Sequence, residues 1–288
     1  MISIITATYN AEKTIENTLK SVLNQKFPNI EHIIIDGNSA DNTINIVKKY
    51  QSKFNGRLKW ISEPDKGIYD AMNKGISLAS GDWIYFMGGD DVFYNNDILS
   101  DIFSYDNYID FDVIYGSVKF LTSGRIYDRE FDPNKFCNTA ICHQAIFYRK
   151  NVFEQFGYYN LEYKINADHV FNSFVYSSNI TKWKYIDKVI AIFNDTGVSS
   201  NKCDKLLKQN SFQLRYELFK PYISDYTKSR IFFSSFLYFA LSHRLSVSTK
   251  YLVIFLKDIG VIRLTSNAFK IIKHKISAKY CKNRNKFD

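Results

Sequence analysis

Four short runs rich in β-branched and aromatic residues, at 2–6, 30–35, 58–61 and 83–87, each give way to a polar tip. A segment with apolar residues at helical spacing separates each run from the next. Isoleucine-rich runs of this kind suit strands buried on both faces, and repeated strand–helix–strand units close as a parallel sheet wound by helices. The spacing predicts helices over 11–25, 41–54 and 68–79. Their inward residues are Ile15, Leu19, Val22 and Leu23, then Ile44, Val47 and Tyr50, then Ile68, Met72 and Ile76. In an open α/β sheet the ligand crevice lies outside the carboxyl ends of the strands. Tyr9, Asp36, Asp65 and the pair Asp90-Asp91 all stand at such ends, so the topology brings them together from four separate places in the sequence.

Beyond residue 100 the order changes. A helix is followed by strands predicted at 113–116, at 118–121 and 125–127 turning on Ser123-Gly124, at 143–149 and at 183–193, with a helix over 166–177. Antiparallel additions suit a second half over 101–200, built differently from the first half over 1–100 and able to receive a second ligand. Residues 201–288 are expected to form a separate helical extension.

The formal charge of +9 is uneven. Residues 1–201 carry 20 Lys and Arg against 24 Asp and Glu, whereas residues 202–288 carry 18 against 5. Such asymmetry suits a tail that meets an anionic surface, either acidic lipid or nucleic acid. The cations of the tail are interleaved with apolar stretches at 231–241 and 251–256. That pattern fits amphipathic helices in a membrane interface better than a phosphate backbone, so an anionic membrane surface is the expected partner and nucleic acid is not. The stretch at 231–241 is about half the length of a membrane span. Cys137, Cys142, Cys203 and Cys281 lack paired C-x-x-C spacing and read as reduced thiols, and the first residues open into a strand without a secretion signal. The cytoplasm is the expected compartment.

Asp90-Asp91 follow two glycines at the end of an apolar strand. Paired carboxylates there can hold a hard divalent cation that bridges a diphosphate, although an Asp pair at a strand end is also an ordinary polar turn. Thr8-Tyr9-Asn10 and Asp36-Gly37-Asn38-Ser39 occupy the first two tips. A tyrosine face stacks on a pyrimidine and a carboxylate accepts its ring N–H, while the same residues also suit loops and helix caps. In the charged loop 63–67, Lys66 is placed to meet phosphate and Asp65 ribose or base, at a helix N-terminus that favours anions. Lys74 reads as a solvated surface cation.

These residues together resemble glycosyltransferase family 2. The run TATYN, the segment IIIDGNSAD, the string EPDKGIYDAMNKG and the strand end FMGGDD are similar to those of bacterial enzymes of colanic acid, O-antigen and capsule biosynthesis. The resemblance covers about residues 1–195 and implies the α/β GT-A fold, a Rossmann-like, mostly parallel sheet flanked by helices. It further implies inversion, a divalent metal (Mn2+ or Mg2+), a donor-nucleotide site at Thr8, Tyr9, Asp36, Asp65 and Asp90, and Asp91 as the metal-binding acid. Members of the family carry a later acid, often as Glu-Asp, that acts as general base. Here Asn166-Ala167-Asp168-His169 stands in that place, so Asp168 is the matching acid and the preceding Glu is absent. His143-Gln144 matches a His-Gln pair in related bacterial sequences and is expected to contact the acceptor or the donor sugar.

The expected protein is an inverting glycosyltransferase that moves a sugar from a nucleoside-diphosphate donor, a UDP-sugar, to a lipid-linked or growing surface-polysaccharide acceptor. It would work peripherally at the inner face of the cytoplasmic membrane. One rival is a nucleotidyltransferase, which needs a Gly-rich basic loop after the first strand that Ala11-Glu12-Lys13 does not supply. Another is a catalytically silent sugar- or nucleotide-binding protein.

Overall fold

The computed structural model describes residues 1–104, 108, 110–127, 129–196, 204–241, 247 and 252–254. The chain divides into two compact units, Met1–Asn210 and Ser211–Asp288.

The first unit is built on a nine-stranded sheet. Its strands are β1 (Ile2–Thr8), β2 (Ile30–Asp36), β3 (Leu58–Ser62), β4 (Trp83–Gly88), β5 (Val92–Phe93), β6 (Val113–Phe120), β7 (Ile126–Tyr127), β8 (Ile146–Arg149) and β9 (Trp183–Phe193). They lie in the order β3-β2-β1-β4-β8-β6-β9-β5, with β7 paired to β6 alone. The first four are mutually parallel, and every residue of β1 and β2 is buried, as their isoleucine-rich runs require. β8 then enters antiparallel to both β4 and β6. This reversal joins the two halves of the sheet.

Helices α1 (Ile15–Leu23), α2 (Thr43–Gln51) and α3 (Ile68–Leu78) cover the parallel half. The expected inward faces hold for α1 and α2 at Ile15, Leu19, Val22, Val47 and Tyr50. In α3 the phase differs from the sequence reading: Ile68 is 42% exposed, and Tyr69, Met72 and Ile76 face the sheet. Gly75 fixes that phase, because a Cβ there would come within 2.3 Å of Ile5 on β1.

Five further helices among the described residues complete the unit: α4 (Ile98–Phe103), α5 (Pro133–Phe136), α6 (Lys150–Phe156), α7 (Ala167–Ser177) and α8 (Lys205–Phe212), the last running into the second unit. The strands expected separately at 113–116 and 118–121 form one strand, β6. Its pairing with β9 shifts register at Tyr115–Ser117, where a Cβ on Gly116 would meet Lys188 O at 2.5 Å. The strand expected at 143–149 begins instead with a 3-10 turn, His143–Ala145. β5, α5 and α6 are too short for hydrophobic period to reveal them.

Many of the aromatics pack the interior. Phe86, Phe153, Tyr159 and Phe171 interlock behind α7, with ring centroids 4.9–5.9 Å apart. In the second unit a π-helical turn, Gln213–Glu217, and α9 (Asp225–Leu241) bury Phe212, Tyr216, Phe219 and Ile231. Among the described residues no helix is long and apolar enough to cross a membrane. The basic segment from 255 onward, with Cys203 and Cys281, lies outside the described residues.

Candidate active site

The tips of the parallel strands gather at one edge of the sheet. Thr8 ends β1, and its Oγ1 is buried without a hydrogen-bond partner among the described residues. Tyr9 follows with its ring 65% exposed. Asp36 ends β2 fully buried and accepts from Ser39 N at 2.9 Å, from Ser39 Oγ and from Ser62 Oγ at 2.6 Å. Its charge holds the first turn after β2 against the end of β3.

Gly37 marks where Tyr9 and Asp65 meet. A Cβ there would sit 2.7 Å from Asp65 Oδ2 and 3.4 Å from the Tyr9 ring, so an exposed ring and a carboxylate oxygen border one small space that glycine keeps open. The loop carrying Asp65 and the exposed Lys66 is fastened locally. Asp65 Oδ1 accepts from Gly67 N at 2.8 Å, and Asp70 Oδ2 accepts from Lys66 N at 3.0 Å. Lys74, read from sequence as a solvated cation, is instead only 26% exposed and pairs with Glu63 at 2.7 Å while donating to Pro64 O at 3.1 Å. It braces this loop against α3.

The turn after β4 separates its two acids. Asp90 is exposed, whereas Asp91 is 1% exposed. Asp91 Oδ2 accepts from Gly88 N at 2.9 Å and Gln144 Nε2 at 2.8 Å, and its Oδ1 accepts from Asn194 N at 3.0 Å. Burial, reinforced by the negative charge of Asp90, raises the Asp91 pKa despite these donors. Asn194 also donates through Nδ2 to Asp90 Oδ2 at 2.8 Å. A Cβ on Gly88 would lie 2.7 Å from Asp91 Oδ2 and 2.8 Å from Asp90 Oδ1, so the two carboxylates converge on space that only glycine leaves vacant. Gly89 likewise admits Thr8, whose Oγ1 would stand 2.7 Å from a Cβ there.

Two hard carboxylates converging beside an open edge fit a divalent cation. The described residues hold no cluster of three or more His, Cys, Asp or Glu able to bind one alone, so remaining ligands would come from diphosphate oxygens and water.

Asp168 stands in the first turn of α7. Its Oδ1 accepts from the Tyr69 hydroxyl at 2.7 Å, and its Oδ2 faces His143 Nδ1 at 3.2 Å. Burial works to raise its pKa, but the hydrogen bond and charge of His143 together with the Tyr69 hydroxyl outweigh it, and the carboxyl lies below its ordinary value. Thus Asp168 is an ionised carboxylate, reached through Tyr69 from the Asp65 loop and through His143 from the turn that also carries Gln144.

Sequence reasoning passed over four contributors. Tyr69 lies inside the quoted string EPDKGIYDAMNKG but looks like a core aromatic; Asn194 was visible only as the polar end of a strand. Ser62 and Asp204 carry no pattern of their own, since their partners are remote in sequence.

A sheet wound by helices, with paired acids at one strand tip, an aromatic–carboxylate notch beside them and a separate, mostly buried carboxylate, is the architecture of the GT-A fold. The profile described as Glycosyl transferase family 2 matches residues 3–156, and the chain belongs to that family. Over 203 residues, 70% of this chain and 79% of the relative, it is 34% identical to the PGL/p-HBAD biosynthesis glycosyltransferase Rv2957 of Mycobacterium tuberculosis. Among solved structures it resembles Staphylococcus aureus TarS 1-349 in complex with UDP-GlcNAc, with TM-score 0.61 and 20% identity over 80% of this chain and 69% of that one. The chain spans 41% of a longer TarS structure. The mannosyltransferase PcManGT of Pyrobaculum calidifontis, in complex with GDP-Man and Mn2+, matches with TM-score 0.59 and 14% identity over 98% of this chain and 82% of that one. The protein is a glycosyltransferase with the GT-A fold.

Proposed function

We propose that this glycosyltransferase takes its sugar from a UDP-sugar and transfers it with inversion to a lipid-linked or growing surface polysaccharide. The observation that carries the reading is the joint border of the Gly37 notch by Tyr9 and Asp65. A flat ring face and a carboxylate at that spacing suit a pyrimidine with a ring N–H, and TarS, similar in fold, is known with UDP-GlcNAc.

The rest of the donor follows from the strand tips. Asp36 and Thr8 border the ribose, Asp90 and Asp91 would hold a divalent cation near the diphosphate end, and Lys66 supplies an exposed positive charge at the mouth. When bound, the cation neutralises charge that develops on the departing diphosphate. Asp168 takes the proton of the acceptor hydroxyl while that oxygen attacks the anomeric carbon, and His143 keeps the carboxyl ionised and oriented for this. A single attack by the acceptor oxygen from the side opposite the leaving group inverts the anomeric configuration. The acceptor enters over the half formed by 101–200, and the basic extension, 201–288, holds the enzyme on the anionic cytoplasmic face of the membrane.

Thermal unfolding with UDP, GDP, dTDP and CMP, each with and without Mn2+, tests the donor assignment. A ligand at about 100 times its Kd stabilises by roughly 2.7 kcal/mol. A manganese-dependent rise with UDP is expected, and a rise with GDP alone would transfer the assignment to a purine donor.

A further inference from the structure

Tyr69 enters the site from a motif whose nucleotide contacts do not account for it. Its ring is 5% exposed and packs on Tyr159 with centroids 5.4 Å apart. Its hydroxyl oxygen lies 2.7 Å from Asp168 Oδ1 and 2.6 Å from the carbonyl oxygen of Ile165. Toward an ionised carboxylate both neighbours are acceptors, and a hydroxyl has one proton to give. With Asp168 ionised, the O–H points to Oδ1, where the bond is charge-assisted. With a proton on Oδ1, the order reverses: the acid donates to the tyrosine oxygen and the tyrosine donates to Ile165 O. Two short contacts thus fit two protonation states, interconverted by one rotation of the O–H bond.

We propose that Tyr69 is a positioning residue for the base, a hydroxyl that donates to Asp168 before sugar transfer and accepts from it afterwards. This inference rests on the reading of Asp168 as the base. In the transfer step the acceptor oxygen forms its bond to the anomeric carbon and the sugar–phosphate bond breaks, its electron pair leaving on the diphosphate. The acceptor's hydroxyl proton passes to Asp168. The side chain of that acid is only 13% exposed, and a protonated carboxyl without an acceptor there is costly. Turning its own proton to Ile165 O, Tyr69 becomes that acceptor, and the return rotation accompanies release of the proton to solvent. The other titratable group on the carboxyl is His143 at Oδ2, and burial keeps the nearby Cys142, Tyr148 and Tyr159 protonated and uncharged.

The test compares Tyr69→Phe and Asp168→Asn with the full chain, measuring UDP-dependent thermal stabilisation, donor KM, kcat and the pH profile of kcat. Tyr69→Phe keeps the ring and removes one oxygen. Its UDP stabilisation and donor KM should match wild type, kcat should fall roughly 10- to 100-fold, and the acidic limb should move to higher pH because the ionised carboxylate has lost a donor. An inactive Asp168→Asn beside a Tyr69→Phe with unchanged kcat and profile would overturn the role of Tyr69 and leave the base in place. A fall in kcat with an unmoved acidic limb would also overturn it, by marking a packing effect. An active Asp168→Asn would remove the base reading and this inference together. Should Tyr69→Phe not fold, replacing Tyr69 by 3,5-difluorotyrosine keeps ring and hydroxyl while making the proton more acidic, and an unshifted profile there overturns the proposal.

Discussion

His143 and Gln144 are neighbours in one 3-10 turn, and they hold different carboxylates: His143 Nδ1 lies 3.2 Å from Asp168, and Gln144 Nε2 donates to Asp91 at 2.8 Å. The Gln144 amide is itself oriented, because its Oε1 accepts from the Cys142 thiol at 2.9 Å. One turn therefore sets the distance between Asp91 and Asp168.

Gln144→Leu separates these roles. It removes one of three donors from a carboxylate that is almost wholly buried, at a cost of about 1–3 kcal/mol in stability. Metal-dependent UDP binding should weaken as well, since Asp91 loses the group that aims Oδ2, whereas His143→Leu should leave UDP binding near wild type and lower kcat. Isothermal titration with UDP and Mn2+, together with urea unfolding, checks both variants. Equal loss of UDP affinity in the two would show that the turn acts as a single body.

The Gly37 notch gives a prediction about the base. Gly37→Ala puts a methyl carbon where only 2.7 Å separates it from Asp65 Oδ2 and 3.4 Å from the Tyr9 ring. Either the Asp65 loop shifts or the notch closes, so UDP affinity should fall at least about tenfold, or 1.4 kcal/mol. Stability without nucleotide should change little, because what the methyl meets is the far end of the Asp65 side chain, which can turn aside. Unchanged UDP affinity in Gly37→Ala would move the base elsewhere.

The parallel half of the fold was legible because its strands are buried on both faces, so Ile2–Thr8 and Ile30–Asp36 announce themselves as apolar runs, and the residues proposed for the donor stand at their ends. The second half was legible only in part. The two residues of β5 carry no period, and the bulge at Gly116 interrupts β6 so that one strand reads as two. Tyr69 was hidden by phase. A helix with Ile68, Tyr69, Met72 and Ile76 offers two adjacent starting points for the same stripe, and the choice depends on the close approach of Gly75 to Ile5. Asn194 and Asp204 act through partners far along the chain, a relation that no local pattern encodes.

Acid sensitivity follows from two neighbouring residues of β2. Glu31 is buried and accepts from Ser3, from Ser80 N at 2.7 Å and from Lys59 at 2.7 Å. Burial opposes its ionisation, but these donors, Lys59 foremost, bring its pKa down to about 2. His32 is fully buried, and desolvation lowers its pKa to about 3. Both folded pKa values lie below the unfolded ones, so the unfolded chain binds protons first and stability falls as pH falls. His32 acts from about pH 6.5 downward and Glu31 from about pH 4.5, each worth on the order of a few kcal/mol by pH 3. His32→Gln removes the first of these while keeping a polar partner for Thr6. Urea midpoints should then stay flat between about pH 6.5 and 5 in the variant and decline in the wild type; parallel declines would refute the role of His32.

Asp204 tests whether Asp168, as the proposed base, needs its approach held still. Its carboxylate accepts three successive backbone N–H groups, Lys164 at 3.0 Å on Oδ1 and Ile165 at 2.8 Å and Asn166 at 2.9 Å on Oδ2, and its own N–H donates to Asn166 Oδ1 at 3.1 Å. These are the residues that lead directly into α7 and Asp168, and Ile165 supplies the carbonyl facing Tyr69. Asp204→Asn keeps the size but replaces an anionic acceptor of three donors with a neutral amide that has one acceptor oxygen, leaving at least one N–H unserved. A loss of about 1–3 kcal/mol in stability follows. UDP binding should persist, because the strand-tip residues proposed to hold the nucleotide lie on other elements, while kcat should fall as Asp168 loses its fixed entry. Comparing UDP affinity with kcat in this variant decides the matter: a parallel collapse of both would mean that Asp204 supports the first unit as a whole, and a fall in kcat alone would confine its effect to the base.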